Sequence, residues 1–163
     1  MSSYENAAII HDMNNPLNET LKSKKYDYVL DGGTIEHIYN IPQVCENIID
    51  LLKIDGIFCS VNVNNNFSGH GFYQFSPDFF MATFSKKYGM KIISVHLAQI
   101  NTPFNEWVNM LEPGVHGETR FLSQSPVYIV TIAQKISDER QHLTSSCPQQ
   151  DKYENYYWNT TQS

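Results

Sequence analysis

The sequence predicts an α/β domain, a sheet with helices packed against it. Three observations lead there. Apolar, β-rich runs alternate along the chain with segments of helical periodicity. Capping residues, prolines and glycines punctuate those segments where helices start and stop. Polar residues and glycines gather directly after several apolar runs, where open α/β sheets bind ligands. Charged residues are only 17% of the 163 and aromatics reach 13%, which fits a folded chain and not a disordered one.

Ala7 to Ile10 is an apolar run ending at His11–Asp12 and reads as a short buried strand. Tyr26 to Asp31 (YDYVLD) reads as a second buried strand, closed by Gly32–Gly33. Asn40 is placed to cap a helix with Pro42 in its first turn, where a missing N–H costs nothing. Ile41, Val44, Ile48, Leu51 and Leu52 then fall on one face of that helix. Asp55–Gly56 turns the chain into IFCSVNV, in which Ile57, Cys59, Val61 and Val63 alternate against Phe58, Ser60 and Asn62.

Ser76–Pro77–Asp78 combines a cap, a first-turn proline and a first-turn acid. Phe80, Phe84 and Tyr88 share a face of the predicted helix, and Gly89 supplies a left-handed stop. Met90 to Leu97 follows as a strand. Thr102–Pro103 opens a predicted short helix carrying Phe104, Trp107, Val108 and Leu111, stopped by Pro113–Gly114. Val127 to Ala133 is a last strand, apolar on both faces. Composition turns polar near residue 136. The predicted organisation is one α/β domain over 1–135 and a polar, disordered tail over 136–163, with Tyr153, Tyr156, Tyr157 and Trp158 available to a partner.

Acidic residues outnumber basic ones by 17 to 11, a net charge of −6, which argues against nucleic-acid or anionic-membrane partners. No apolar run approaches membrane-spanning length, and no secretory pattern opens the chain. Cys45, Cys59 and Cys147 are an odd set without CxxC spacing, so free thiols and a cytoplasmic setting are expected.

The chemistry is expected at three strand ends. These are His11–Asp12, the run Asp31 to His37 (DGGTIEH), and the long loop from Asn62 to Gln74. Paired glycines after a strand let the backbone turn tightly and a ligand approach closely. Glu36 and His37 follow, placing a carboxylate and an imidazole at one crevice; Asp31 and Glu36 equally suit capping or ion pairing near the next helix. In the long loop, Asn65, His70, Tyr73 and Gln74 offer hydrogen bonds to a substrate, while Gly69–His70–Gly71 is only a weak GxG signal. The histidines show neither HxxxH nor HExxH spacing, so no metal site is expected. There is no GxSxG elbow for a nucleophile.

The stretch YDYVLDGGTIEHIYNIPQVCENIIDLLKIDGIFCSV resembles the middle of the S-adenosylmethionine-dependent methyltransferases with a Rossmann-like fold. The matching pieces are Tyr26–Asp27–Tyr28–Val29, the pair Glu36–His37, and Leu51 to Gly56, where Ile54–Asp55 departs mildly from the family's Pro-Gly. The run NNFSGHGFYQFSPDFF looks like a loop of methyltransferase-like proteins that work on glycans and small molecules. The similarity spans roughly residues 4 to 134. It implies an incomplete class I sheet whose first two strands, with the glycine-rich cofactor loop and the ribose-binding acid, are missing. It implies S-adenosylmethionine as cofactor, held by Asp12, Asp31, Gly32 and Gly33. Glu36, Asn65, Tyr73 and Gln74 would line the site of a small-molecule or glycan-type acceptor, with His37 or His70 as base. The missing strands also imply an exposed sheet edge, open to a protein partner or a second copy.

Overall fold

The computed structural model describes residues 7–100, 107–110 and 121–149. Chain order is α1 (Glu19–Ser23), β1 (Tyr26–Gly32), a 3-10 turn (Ile35–His37), α2 (Ile41–Leu51), β2 (Leu52–Asn65) and α3 (Pro77–Thr83). A second 3-10 turn (Lys86–Tyr88) leads to β3 (Met90–Gln99), β4 (Trp107–Asn109) and β5 (Val127–Lys135). The strands form one sheet in the order β1-β2-β5-β3-β4. β1 and β2 are parallel, joined through α2, whereas β5 is antiparallel to both β2 and β3. The result is a mixed, open α/β sheet.

Pairing register gives each face its character. The row Val29, Phe58, Ala133 and Ile92 belongs to the helix-covered face, as does the row Asp31, Ser60, Thr131 and Val95. Phe58, Ser60, Thr131 and Ala133 are fully buried there. The core on this side joins Val44, Cys45, Ile48 and Ile49 of α2 to Phe80, Phe84 and Tyr88. Phe58 and Phe84 meet with ring centroids 4.7 Å apart. The opposite face carries the row Leu30, Cys59, Ile132 and Ser94, none of them buried.

Several expectations need correction. Ala7–Ile10 forms no strand, and Ile9 and Ile10 are 42% and 49% exposed. An apolar run becomes a strand only beside a partner, and the sheet ends at β1. For the same reason β1 is not buried: Tyr28 and Leu30 are each 75% exposed. The helix expected through Tyr88 stops at Thr83, and the chain reaches Gly89 (φ 73°) through the second 3-10 turn; its aromatic face is buried as expected. Trp107 and Val108 lie in β4, not in a helix, because β3 offers Leu97 and Ala98 as pairing partners. The remainder of that helix, Thr102–Phe104 and Leu111, lies outside the described residues. The Asp55–Gly56 turn takes the form of a bulge: Tyr26 pairs with Leu52 and Tyr28 with Ile57, and Asp55 adopts φ 64°.

The polar segment after residue 136 also behaves differently over its described part. Leu143 is 1% exposed and belongs to the core. Arg140 donates to Glu46 and Asp50 of α2, both at 2.7 Å. Glu46 also faces His142 Nδ1 at 2.6 Å and accepts from Leu143 N at 2.8 Å. Lys135, fully buried, donates to the carbonyls of Ile49 and Leu52 at 2.9 and 3.0 Å and pairs with Asp138 at 2.7 Å. A cation thus closes the C-terminal end of α2, where carbonyls lack intrahelical partners. Residues 150–163, including the tail aromatics, lie outside the described residues.

Candidate functional site

The crevice lies beyond the carboxyl ends of the parallel strands β1 and β2. Asp31, the one buried residue of β1, builds its floor. Its Oδ1 accepts from Thr34 N at 2.9 Å, and its Oδ2 accepts from Asn62 Nδ2 at 2.6 Å and Ser60 Oγ at 3.2 Å. Asn62 also contacts the Ser60 hydroxyl. Asp31 is 5% exposed, so its carboxylate faces inward and holds the glycine turn. Asn62 Oδ1 and Thr131 Oγ1 are buried there without a hydrogen-bond partner. The sequence assigns Ser60 no site role and marks Asn62 only as the start of the long loop; the available signal is two polar residues two apart on the strand face shared with Phe58.

Above this floor, Gly32 is exposed, and a Cβ added to it would meet nothing within 4 Å. Gly33 has φ 84°, and a Cβ there would meet Glu36 Oε1 at 3.2 Å. The turn therefore has open space at Gly32 and a carboxylate against Gly33. Glu36 is 1% exposed although it follows a glycine turn. Its backbone carbonyl accepts from Phe72 N at 2.8 Å and Tyr73 N at 3.3 Å, which ties the long loop to the 3-10 turn.

Those bonds bring His70 to Glu36. His70 Nε2 lies 3.6 Å from Glu36 Oε1, and the rings of His70 and His37 meet edge-on at 4.9 Å. Gly69 and Gly71, at φ 86° and 75°, flank His70 and turn the loop inward. A Cβ at Gly71 would lie 2.8 Å from the Glu36 carbonyl oxygen, so only glycine permits this approach. Glu36 Oε2 is buried and has no hydrogen-bond partner among the described residues. Both imidazoles are exposed on the solvent side of this carboxylate.

The remaining expected site residues serve the loop itself. Tyr73 donates through its hydroxyl to Tyr39 O at 2.9 Å. Gln74 Oε1 accepts from Phe67 N at 3.0 Å, and Asn65 Oδ1 accepts from Asn66 N at 2.9 Å. Asp12 stands in a separate loop and accepts from Asn14 N, Asn14 Nδ2 and Asn15 Nδ2 at 2.9–3.0 Å. The Asn14 bonds hold its carboxyl below the usual carboxylate range. That loop is fixed to α2 through Asn47, which donates to Asn15 O at 2.9 Å, and through Asn40 N, which donates to Asn14 Oδ1 at 3.0 Å. The structure thus clusters Gly33, Glu36, His37 and His70, with Gly32 exposed beside Gly33. Asp31 lies beneath it, and Asn65, Tyr73 and Gln74 brace the loop that closes it.

No family model and no curated protein matches the chain. Solved structures do. The [4+2]-cyclase SpnF is 11% identical with a TM-score of 0.50, over 79% of this chain and 55% of that one. The 1,6-didemethyltoxoflavin-N1-methyltransferase of Burkholderia thailandensis, solved with bound 1,6-didemethyltoxoflavin and S-adenosylhomocysteine, is 16% identical with a TM-score of 0.42, over 70% and 45%. The YcgJ protein of Bacillus subtilis is 12% identical with a TM-score of 0.43, over 72% and 65%. The chain therefore spans roughly half to two thirds of the length of the solved proteins it matches. At such identities it is the fold that is shared: like SpnF, the chain has a Rossmann-like α/β fold, present here in part. Among the described residues no helix is long and apolar enough to cross a membrane.

Proposed function

We propose that the chain works as an S-adenosylmethionine-dependent methyltransferase, or as a portion of one, on a small-molecule or glycan-type acceptor in the cytoplasm. The observation that carries this reading is the Asp31–Gly32–Gly33 turn at the end of β1, open above Gly32 and flanked by Glu36, His37 and His70. The motif resemblance over residues 26–80 points the same way.

The residues fit the cofactor in part. Gly32 leaves room for close approach, and Gly33 keeps the turn tight. Asp31 contributes by fixing that turn, since its oxygens are engaged by Thr34, Ser60 and Asn62. Asp12 keeps the role of an outer contact, on a loop already organised by Asn14 and Asn15. When bound, S-adenosylmethionine supplies an electrophilic methyl group. The chain's own residues align the acceptor, which is the main contribution such a reaction needs. The loop braced by Asn65, Tyr73 and Gln74 closes over the acceptor, and Glu36 sets the orientation of His70. On this reading His37 or His70 takes the acceptor's proton.

Isothermal titration with S-adenosylmethionine tests the reading. Binding at micromolar ligand, weakened in Gly32→Val, is expected. No heat at millimolar ligand would sink the proposal for this chain alone.

A second reading is favoured by one observation, the open edge and face around Tyr28 and Leu30. On it the chain is an inactive methyltransferase-like module that pairs with a partner chain or a second copy through β1. Light scattering on the purified protein separates the two: a compact monomer that binds cofactor counts against the module.

A further inference from the structure

Glu36, His37 and His70 present a donor set that the sequence spacing gave no reason to expect. Their ligating atoms, one from each side chain, all lie within 4.8 Å of one another. We propose that these three residues form a binding site for one divalent transition-metal ion of the zinc type. The proposal goes beyond the methyltransferase reading and does not rest on it.

Chemistry supports it first. Two imidazoles and one carboxylate suit zinc and related divalent ions, while a magnesium site would call for oxygen donors. Three protein ligands leave a coordination position open to water or substrate.

The state of Glu36 is the second, independent observation. Its side chain is 1% exposed, Oε2 is buried with no hydrogen-bond partner among the described residues, and Oε1 lies 3.6 Å from His70 Nε2. A buried carboxylate with so few donors calls for a cation beside it. No lysine or arginine pairs with it among the described residues.

Geometry is the third. Ligand atoms at about 2.0–2.1 Å from a tetrahedral ion stand about 3.4 Å apart, so the set must tighten slightly. The two movable members are the exposed imidazoles, whose rings can rotate, while the carboxylate is fixed. The backbone is already in place: Phe72 N and Tyr73 N bind the Glu36 carbonyl, and Gly71 sits too close to that carbonyl for any side chain. With the ion bound, the imidazoles act as ligands and not as bases, and a water at the open position becomes the acidic group.

The test is titration of the purified full chain, without S-adenosylmethionine, with Zn2+ and separately with Mg2+. Co2+ serves as a visible probe of imidazole coordination. One equivalent of Zn2+ should bind with micromolar or tighter Kd, and Mg2+ no better than millimolar. His70→Ala and His37→Ala should each weaken Zn2+ by at least about tenfold. Both side chains are exposed, so these variants should keep the parent circular dichroism and thermal midpoint. Glu36→Gln, which keeps the volume of the buried side chain, should weaken binding likewise. No Zn2+ binding below millimolar overturns the proposal, as does binding that His70→Ala and His37→Ala leave unchanged. Cofactor binding is measured separately, so either result stands whatever becomes of the methyltransferase reading.

Discussion

Asp31 shows how a single carboxylate can organise the floor of a site without facing it. It satisfies one backbone N–H and two buried side chains, so Asp31→Ala leaves donors from Ser60 and Asn62 without their acceptor. The expected loss is about 2–3 kcal/mol in urea unfolding, from the penalty of unpaired buried polar groups. Gly71 and Gly32 behave oppositely. Gly71→Ala must place a side chain at φ 75° and within 2.8 Å of the Glu36 carbonyl, so about 1–2 kcal/mol of stability should disappear. Gly32→Ala meets nothing within 4 Å and should leave the urea midpoint unchanged. A midpoint that falls equally in both variants would contradict the geometry described for the crevice. Cys45 is fully buried and burial pushes its thiol up, so it should resist alkylation in the native protein while exposed Cys147 reacts.

At the scale of elements, the contact between α2 and residues 137–146 joins parts of the chain about ninety positions apart. Burial pushes the Glu46 carboxyl up, but hydrogen bonds from Arg140, His142 and Leu143 N outweigh it and leave the group below its ordinary value of 4.5. A carboxyl lowered in the folded state adds stability that is complete above its unfolded value and is lost as pH falls through the folded one. The urea midpoint should therefore drop on acidification below the ordinary carboxylate range. In Arg140→Ala that acid dependence should shrink, since the cation opposite Glu46 and Asp50 is gone. The same variant should lose about 3 kcal/mol at neutral pH, because two carboxylates then face each other across a partly buried site. Hydrogen exchange should show faster opening of residues 137–146 in the variant. Lys135 draws the same segment to the end of α2 by another route, through the Ile49 and Leu52 carbonyls.

For the whole molecule the telling feature is asymmetry. One face of the sheet is closed by α2, α3 and the aromatic cluster; on the other, Leu30 is exposed and Cys59 and Ile132 are half-buried, and among the described residues β1 has no partner on its outer edge. Such an edge templates association unless a charge interrupts it. If β1 pairs with a second copy, as the module reading has it, Leu30→Lys puts a charge on that exposed position and should reduce concentration-dependent self-association in light scattering without lowering the urea midpoint. An unchanged scattering profile in a self-associating protein would show that association uses another surface.

Local residue chemistry determined much of this protein. Ser76–Pro77–Asp78 predicts the start of α3, and Ser76 caps it by accepting from Phe79 N. The spacing of Val44 and Ile48 predicts the inner face of α2, and the alternation of Phe58, Ser60 and Asn62 predicts one face of β2. Those signals are legible because capping and periodicity act over a few residues. Which face of β2 is inside, whether 7–10 finds a strand to pair with, and whether Trp107 belongs to a helix depend on distant neighbours. The crevice divides in the same way. Glycines after a strand and the Glu36–His37 pair mark it in the sequence, but the approach of His70 to Glu36 depends on loop hydrogen bonds across some thirty-five residues. Composition read residues 136–149 as tail because few of them are apolar; they are held instead by buried ion pairs, whose partners in α2 no local pattern announces. Caps, turns and periods are properties of neighbouring residues, whereas burial and charge pairing belong to the folded chain, and it was the tertiary structure that decided them.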